Sequence, residues 1–363
     1  MGRLAPMLLL VLAGASGGCR CGSPTDAPPV RVVIEGPRTL FRLGRKVRCA
    51  QANRAGMLVA GTATGQVLVW REGGKPITVE QEGVHDGPLT QVQLSSDGKL
   101  LLSTGGHVAA VWRVVYTGAG DPERGELLRK VQGPQPITCG VLLGSSEAMF
   151  GTSQGHVMRW EVNTPRAVGV RGLSCGGTRV PPARMQLKPG QRCPLGVYVE
   201  PDEGPPACLY PVTHLVLLTQ PRGRAGQVAC ACRTGEAAVM DRATRRLTFF
   251  SPGHLATLTQ VGDDLLLGRA DGKLRLYDLG VREVLRALTP AGAPQASASD
   301  GTLIAVVQGA TLRIWHHDHP AALAAVRLPG PAVWVDLGPG RATVLLLDGQ
   351  LLRYGLKVTR TSV

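Results

Sequence analysis

One register constrains this chain more than any other feature. Aromatic residues recur at Trp70, Trp112, Trp160, Tyr277, Trp315 and Tyr354, with Met240 filling the same slot once, at spacings of 42, 48, 80, 37, 38 and 39 residues. Five residues before these stand Gly65, His107, Gly155, Gly235, Gly272, Ala310 and Gly349. Three residues before them stand Val67, Ala109, Val157, Ala237, Leu274, Leu312 and Leu351. Glycine thus recurs where a tight turn needs positive φ, and the position two further on is always apolar. A period of this length is the mark of a repeat architecture, in which no copy buries its faces alone.

The clearest copy runs from Leu89 to Val114. Val92 with Leu94, then Leu100 to Leu102, then Val108 to Val114 form three short runs, separated by Ser96-Asp97-Gly98 and Gly105-Gly106. Such runs with Asp-Gly or Gly-Gly between them predict strands of an antiparallel meander. A four-stranded unit takes about 40 to 45 residues, and radial repetition packs both faces of each sheet against neighbours while leaving only short edges. The expectation is an all-β, seven-bladed β-propeller of four-stranded antiparallel blades, occupying residues 31–363 as one domain. The chain stops soon after the third strand of the last repeat. Arg31 to Ile34 and Thr39 to Arg42 are both strand-like, so an N-terminal strand is expected to close the ring.

Two copies carry more specific wording. Val84-His85-Asp86-Gly87-Pro88-Leu89 precedes the second repeat. Gly253-His254, with Ala270-Asp271-Gly272-Lys273-Leu274-Arg275-Leu276-Tyr277-Asp278, makes the fifth. Over roughly residues 45 to 360 the chain resembles the WD40 family, whose repeats carry Gly-His near the start and aromatic-Asp near the end. Repeats one, three, six and seven lack the Gly-His, and only the fifth closes with aromatic-Asp. Most of the family's His/Ser/Asp/Trp hydrogen-bond network is therefore expected to be missing.

Residues 1–18 hold one basic residue, Arg3, an apolar run from Leu4 to Ala13, and the small residues Gly14 to Gly18 before Cys19. This is the form of a secretory signal peptide, too short for the ~20 residues of a membrane span. Gly17-Gly18-Cys19 resembles the bacterial lipobox, with Ser16 standing where a leucine is preferred. The resemblance implies lipid attachment at Cys19, with residues 19–30 a Gly/Pro/Ser-rich tether and the protein held at a membrane of the cell envelope. Cleavage near Ala15, giving a soluble secreted protein, is the alternative.

The 80-residue spacing between Trp160 and Met240 holds about one period too many. The surplus, about residues 173–210, contains Pro181-Pro182, Pro189-Gly190 and Gly204-Pro205-Pro206, which argue against a central strand. It also contains Cys175, Cys193 and Cys208. In an exported chain with nine cysteines, a loop stapled by disulfides is expected, with Cys230 and Cys232 as further candidates on one strand face. A degenerate eighth blade around Gly196 to Glu200 is the alternative. Without Cys19 eight cysteines remain, which allow 105 connectivities, so none is assigned.

Candidate chemistry is sparse. The net charge of +14 suggests nucleic acid at first sight, but 33 of the 40 basic residues are arginines spread over every repeat, and aromatic residues make up only 4%. Nucleic acid is not the expected partner. His316-His317-Asp318-His319 suggests a metal cluster, yet neighbours on a strand alternate faces, so an exposed turn with no metal is expected. The match to G-x-S-x-G at Gly14 to Gly18 lies in the signal peptide and follows no strand. No catalytic motif and no cofactor site emerges. The expected function is a monomeric, non-enzymatic scaffold that binds a protein partner through one ring face, with Thr64, Gln154, Thr234, Asp271 and Asp348 marking turns on that face. The alternatives are an envelope ligand or polysaccharide binder, and a propeller enzyme of lactonase or quinoprotein type.

Overall fold

In a computed structural model the described residues are 30–53, 56–79, 83–85, 87–133, 135–163, 167–174, 212–218, 227–232, 237–241, 247–250, 254–279, 283–289 and 292–360. Cys19, the 175–210 part of the insertion with Cys175, Cys193, Cys208 and the Gly196 to Glu200 segment, and Thr234 lie outside them. No helix among the described residues is long and apolar enough to cross a membrane.

The chain enters through β1 (Val30–Arg42) and then repeats a meander. Blade one is β2 (Val47–Ala52), β3 (Met57–Thr62), β4 (Val67–Arg71) and β5 (Ile77–Thr78). Blade two is β6 (Leu89–Leu94), β7 (Leu100–Gly105), β8 (Val108–Tyr116) and β9 (Pro122–Gln132). Blade three is β10 (Ile137–Leu142), β11 (Glu147–Thr152), β12 (His156–Glu161) and β13 (Ala167–Ser174). Blade four is β14 (Val212–Leu218), β15 (Gln227–Cys232), β16 (Ala237–Asp241) and β17 (Leu247–Phe250). Blade five is β18 (Leu255–Val261), β19 (Asp264–Arg269), β20 (Leu274–Asp278) and β21 (Glu283–Leu288). Blade six is β22 (Pro294–Ser299), β23 (Leu303–Gln308), β24 (Thr311–His316) and β25 (Ala324–Arg327). The last three strands are β26 (Ala332–Gly338), β27 (Arg341–Leu346) and β28 (Gln350–Arg360).

Among the described residues these strands form seven four-stranded antiparallel sheets. In the last of them β1 is the outer strand, in the order β1-β28-β27-β26. The first strands of successive sheets touch in the order β2, β6, β10, β14, β18, β22 and β26, and β26 touches β2 in turn. The two strand-like N-terminal segments are parts of the one strand β1, which pairs with β28 from Val30↔Arg360 to Arg42↔Gln350. Register slips between Glu35 and Arg38, around Gly36-Pro37, because proline offers no N–H to the ladder.

All seven register residues fall on the third strand of their sheet. They face Leu58, Leu101, Ala148, Val228, Leu265, Ile304 and Ala342 of the second strand. Trp70, Trp112, Trp160, Trp315 and Tyr354 are fully buried between blades. Removing each such ring from water contributes roughly 2 to 3 kcal/mol, which makes the aromatic the anchor of its blade. The register glycines have two reasons to be glycine. Gly65, Gly155, Gly272 and Gly349 have φ of 88°, 85°, 91° and 86°. In addition, a Cβ on Gly65 would lie 2.9 Å from the carbonyl oxygens of His85 and Gly87, and one on Gly349 would lie 2.6 Å from that of Arg45. The turn between second and third strands is thus pressed against the segment that leads into the next blade.

Blade two outgrows the strand expected from Val108 to Val114. Strands β8 and β9 extend together as a hairpin that leans on blade one, where a Cβ on Gly125 would collide with the Val79 side chain. The Tyr116 hydroxyl donates to the Gly98 carbonyl at its base, and Arg71 Nη1 donates to Ala119 O at its tip.

Candidate functional site

The inner strands carry polar side chains that join neighbouring blades. Gln51 Oε1 accepts from Leu94 N at 2.6 Å, Gln91 Oε1 accepts from Gly140 N at 2.9 Å, and Gln93 Oε1 accepts from Leu142 N. Thr138 donates its hydroxyl to Val212 O, and Thr259 and Ser297 share a hydroxyl–hydroxyl bond of 2.7 Å. His214 Nε2 lies 3.0 Å from Ala256 O, and burial pushes its pKa down to about 4, so the ring is neutral and donates there. These bonds satisfy, across the seam, inner-strand groups that have no further strand to pair with.

At one end of the channel they border a cavity of about 870 Å³. Its wall comes from blades one, five and six and from the last strands of the chain: Gln51 and Asn53, Thr259 and Gln260, Ser297 to Gly301, and Trp334 to Pro339 with Arg341. This is the face that bears the turns between first and second strands. Asp336 stands in the cavity with its carboxyl pushed up to about 6 by burial, against the opposing pull of Arg341. Glu72, also on the wall, is engaged by Arg341 Nη2 at 2.9 Å and by Arg353. Arg341 lies on β27 and Arg353 on β28, so the pair of contacts fastens the last sheet to blade one.

The opposite face bears the turns between second and third strands, and the expected partner-face residues lie there. Thr64, Asp271 and Asp348 are exposed and Gln154 is half-buried. Much of their polar capacity goes into the turns. Asp271 Oδ1 accepts from Lys273 N at 3.2 Å, Asp348 Oδ1 accepts from Gln350 N at 2.9 Å, and Thr64 Oγ1 lies 3.1 Å from Thr62 Oγ1. Asp271 also pairs with Arg269 at 2.9 Å.

Blade two holds a buried relay that the sequence foreshadowed only through His85. Ser103 Oγ lies 2.8 Å from His85 Nε2 and accepts from Trp112 Nε1 at 2.8 Å. Ser103 sits two residues past Leu101, the partner of Trp112. The same offset in the other sheets gives Ala60, Phe150, Cys230, Leu267, Val306 and Val344, none of which has a hydroxyl. The missing serine, rather than the missing Gly-His alone, is why the network is not repeated.

The cysteines divide by environment. Cys49 and Cys139 occupy equivalent first-strand positions, opposite Gly61 and Gly151, and burial pushes both thiols up to about 12. Such thiols are inert at neutral pH, Cys139 within the core and Cys49 half-buried at its edge. Cys230 and Cys232 point to one face, as their spacing predicts, and are buried beside Cys139. Cys232 is disulfide-bonded to a partner outside the described residues.

The turn after β24 departs from the sequence expectation. The strand ends at His316, so alternation stops there and the rings of His316 and His317 stack with centroids 4.7 Å apart. His317 Nε2 and Asp318 Oδ1 are 3.1 Å apart, and His316 Nδ1 and Asp318 Oδ2 are 3.6 Å apart. His316 is also buried rather than exposed. On the neighbouring blade, Asp264 is pushed up to about 6 by burial and by Asp278 and Asp263, with His317 pulling it down. The premise that these histidines look in opposite directions therefore fails.

Fold and seams together define a β-propeller of four-stranded antiparallel blades. No protein-family model matches the chain, and no curated protein matches it. Among solved structures, it is similar to the β-propeller domain of Myceliophteria thermophila Cps50 (Swd1), with a TM-score of 0.65 and 18% identity over 90% of this chain and 99% of that one. At that identity the likeness concerns the fold.

Proposed function

We propose that this protein is an exported, lipid-anchored, non-enzymatic scaffold, a seven-bladed ring latched by its N-terminal strand that docks a protein partner on one face. The observation that carries the reading is the channel mouth. Four separate sheets contribute to one cavity of about 870 Å³, and the seam beside it is fastened by Glu72, Arg341 and Arg353. A broad, pre-formed concavity on a rigid frame suits a protruding segment of a partner. WD40-type propellers commonly serve as interaction scaffolds, which supports the reading by analogy of fold. Attachment at Cys19, with residues 19–30 as tether, completes the proposal.

Trp334, Asn53, Gln51 and Asp336 on the cavity wall favour a second reading, an envelope binder of a small polar or saccharide ligand. An aromatic face with amides and a carboxyl is the usual furniture of such a site.

The test is crosslinking in native membranes with the full chain tagged after Val363, beside Cys19→Ser, a cavity-rim pair (Trp334→Ala, Asp300→Arg) and an opposite-face pair (Asp271→Arg, Asp348→Arg). One dominant crosslinked protein is expected, lost in one pair only, which names the face. Cys19→Ser is expected to move the complex to the soluble fraction. Recovery of the propeller alone, still membrane-bound, removes the scaffold reading in favour of the ligand reading. Persistence of the Cys19→Ser protein in the membrane removes the anchor.

A further inference from the structure

We propose that the turn after β24 is a binding site for a divalent transition-metal ion of the zinc type, held by His316 Nδ1, His317 Nε2 and the Asp318 carboxylate. These three ligand atoms all lie within 4.8 Å of one another. In a tetrahedral zinc site with bonds of about 2.0 to 2.2 Å, neighbouring ligand atoms are about 3.3 to 3.6 Å apart. The Asp318 carboxylate spans the two rings, with Oδ1 3.1 Å from His317 Nε2 and Oδ2 3.6 Å from His316 Nδ1, so either oxygen stands about one such edge from an imidazole nitrogen.

The hydrogen bonds around the turn set the ring orientation that a metal needs. His317 Nδ1 lies 3.3 Å from Thr302 O, a group that can only accept, so Nδ1 carries the proton and Nε2 presents its lone pair to the Asp318 carboxylate. A backbone carbonyl holding the far nitrogen is the usual outer support of a metal-bound histidine. His316 Nδ1 accepts the Asp318 N–H at 3.2 Å, so it is the unprotonated nitrogen of its ring, and a metal would take its lone pair in place of that long hydrogen bond. Two unprotonated imidazole nitrogens and a carboxylate are therefore gathered in one place, an arrangement that suits a cation.

The backbone of the turn is fixed independently of any ion. Arg286 Nη1 donates to His317 O at 2.7 Å, and His319 N donates to His316 O at 2.9 Å. Asp264 and Asp278 of blade five add negative charge nearby. The side chains of His317 and Asp318 are 40% and 50% exposed, so an ion can enter from solvent and keep a fourth position for water or a partner's side chain. Two imidazoles and a carboxylate select zinc, nickel, copper or cobalt over calcium and magnesium.

The test uses the full chain, disulfides intact, stripped with a chelator and titrated with Zn²⁺ against a chromophoric competitor, with Co²⁺ absorption as a second readout. His317→Gln and Asp318→Asn replace exposed ligands and leave the core untouched, and metal-free melting curves check the fold. The expected result is one equivalent of tight binding in the wild type that weakens about tenfold or more in each variant, with loss of the Co²⁺ band. Absence of binding in the wild type, or binding unchanged in either variant, overturns the site. Zinc held by thiols elsewhere survives in both variants and so counts against it.

Discussion

Ser103→Ala isolates the one relay that distinguishes blade two. Ser103 and Trp112 are fully buried and His85 is 5% exposed, so water cannot replace the lost oxygen. Two hydrogen bonds of 2.8 Å disappear at once, and the indole N–H and the imidazole nitrogen that met Ser103 both lose that contact. A buried hydrogen bond contributes about 0.5 to 1.5 kcal/mol net, and a buried group left unsatisfied costs about 1 to 3 kcal/mol. The cavity left by one oxygen is small, so the expected loss is about 2 to 4 kcal/mol, read as a lower urea midpoint at unchanged slope. Ala60→Ser is the control, since it sets a hydroxyl at the equivalent place beneath Trp70, whose Nε1 is buried and has no hydrogen-bond partner among the described residues. That variant is expected to stay within about 1 kcal/mol of wild type. A loss below about 1 kcal/mol for Ser103→Ala would refute the claim that the relay, rather than apolar packing, secures this blade.

Two further outcomes follow from the seams and turns. His214 has a pKa near 4 in the folded chain, below the ordinary value of 6.5, so the unfolded chain binds more protons between these limits and stability falls as pH drops from about 6.5 towards 4. Asp264 and Asp336, raised to about 6, act in the opposite sense, so the His214 contribution is read as wild type minus His214→Gln and is expected to be on the order of 2 kcal/mol between pH 7 and 4; a flat difference would remove the neutral, donating ring. Gly65→Ala, which meets both a φ of 88° and two carbonyl oxygens, is expected to cost at least about 2 kcal/mol, while Gly83→Ala, with a φ of 85° and open space around it, is expected to cost about 1 kcal/mol. Equal losses in chemical denaturation would mean that the turn is not pressed against the next blade.

The anchors of the fold were legible because aromatic and glycine carry their reasons locally. Trp112 announces a buried third strand and Gly65 a left-handed turn, whatever surrounds them. What joins the blades was not legible. Gln91 reads as an exposed alternate residue of a strand, and only the ring places it beside Gly140 N of the next blade. The cavity depends on Gln51, Thr259, Ser297 and Asp336, drawn from four sheets, with no spacing that links them. Cys49 and Cys139 entered the count of possible disulfides, yet their shared position opposite a glycine makes them inert thiols. At the histidine turn the turn itself and the exposed Asp318 were legible, but the stacking of His316 on His317 was not, because strand alternation stops where the strand ends at His316.

The pairing of β1 with β28 also sets an order of events. During synthesis β1 is made first and its partner last, about 300 residues later, and closing a loop of that length costs about 5 kcal/mol of chain entropy against about 2 for a ten-residue loop. Until then β1 is an open edge, the kind of strand that recruits other chains. Its solvent-facing positions include Arg31, Glu35, Arg38 and Arg42, charges that blunt such an edge while it waits. The long interval makes this pairing a highly non-local contact, of the kind that slows folding, and a chain truncated before Gln350 would be left with an exposed edge.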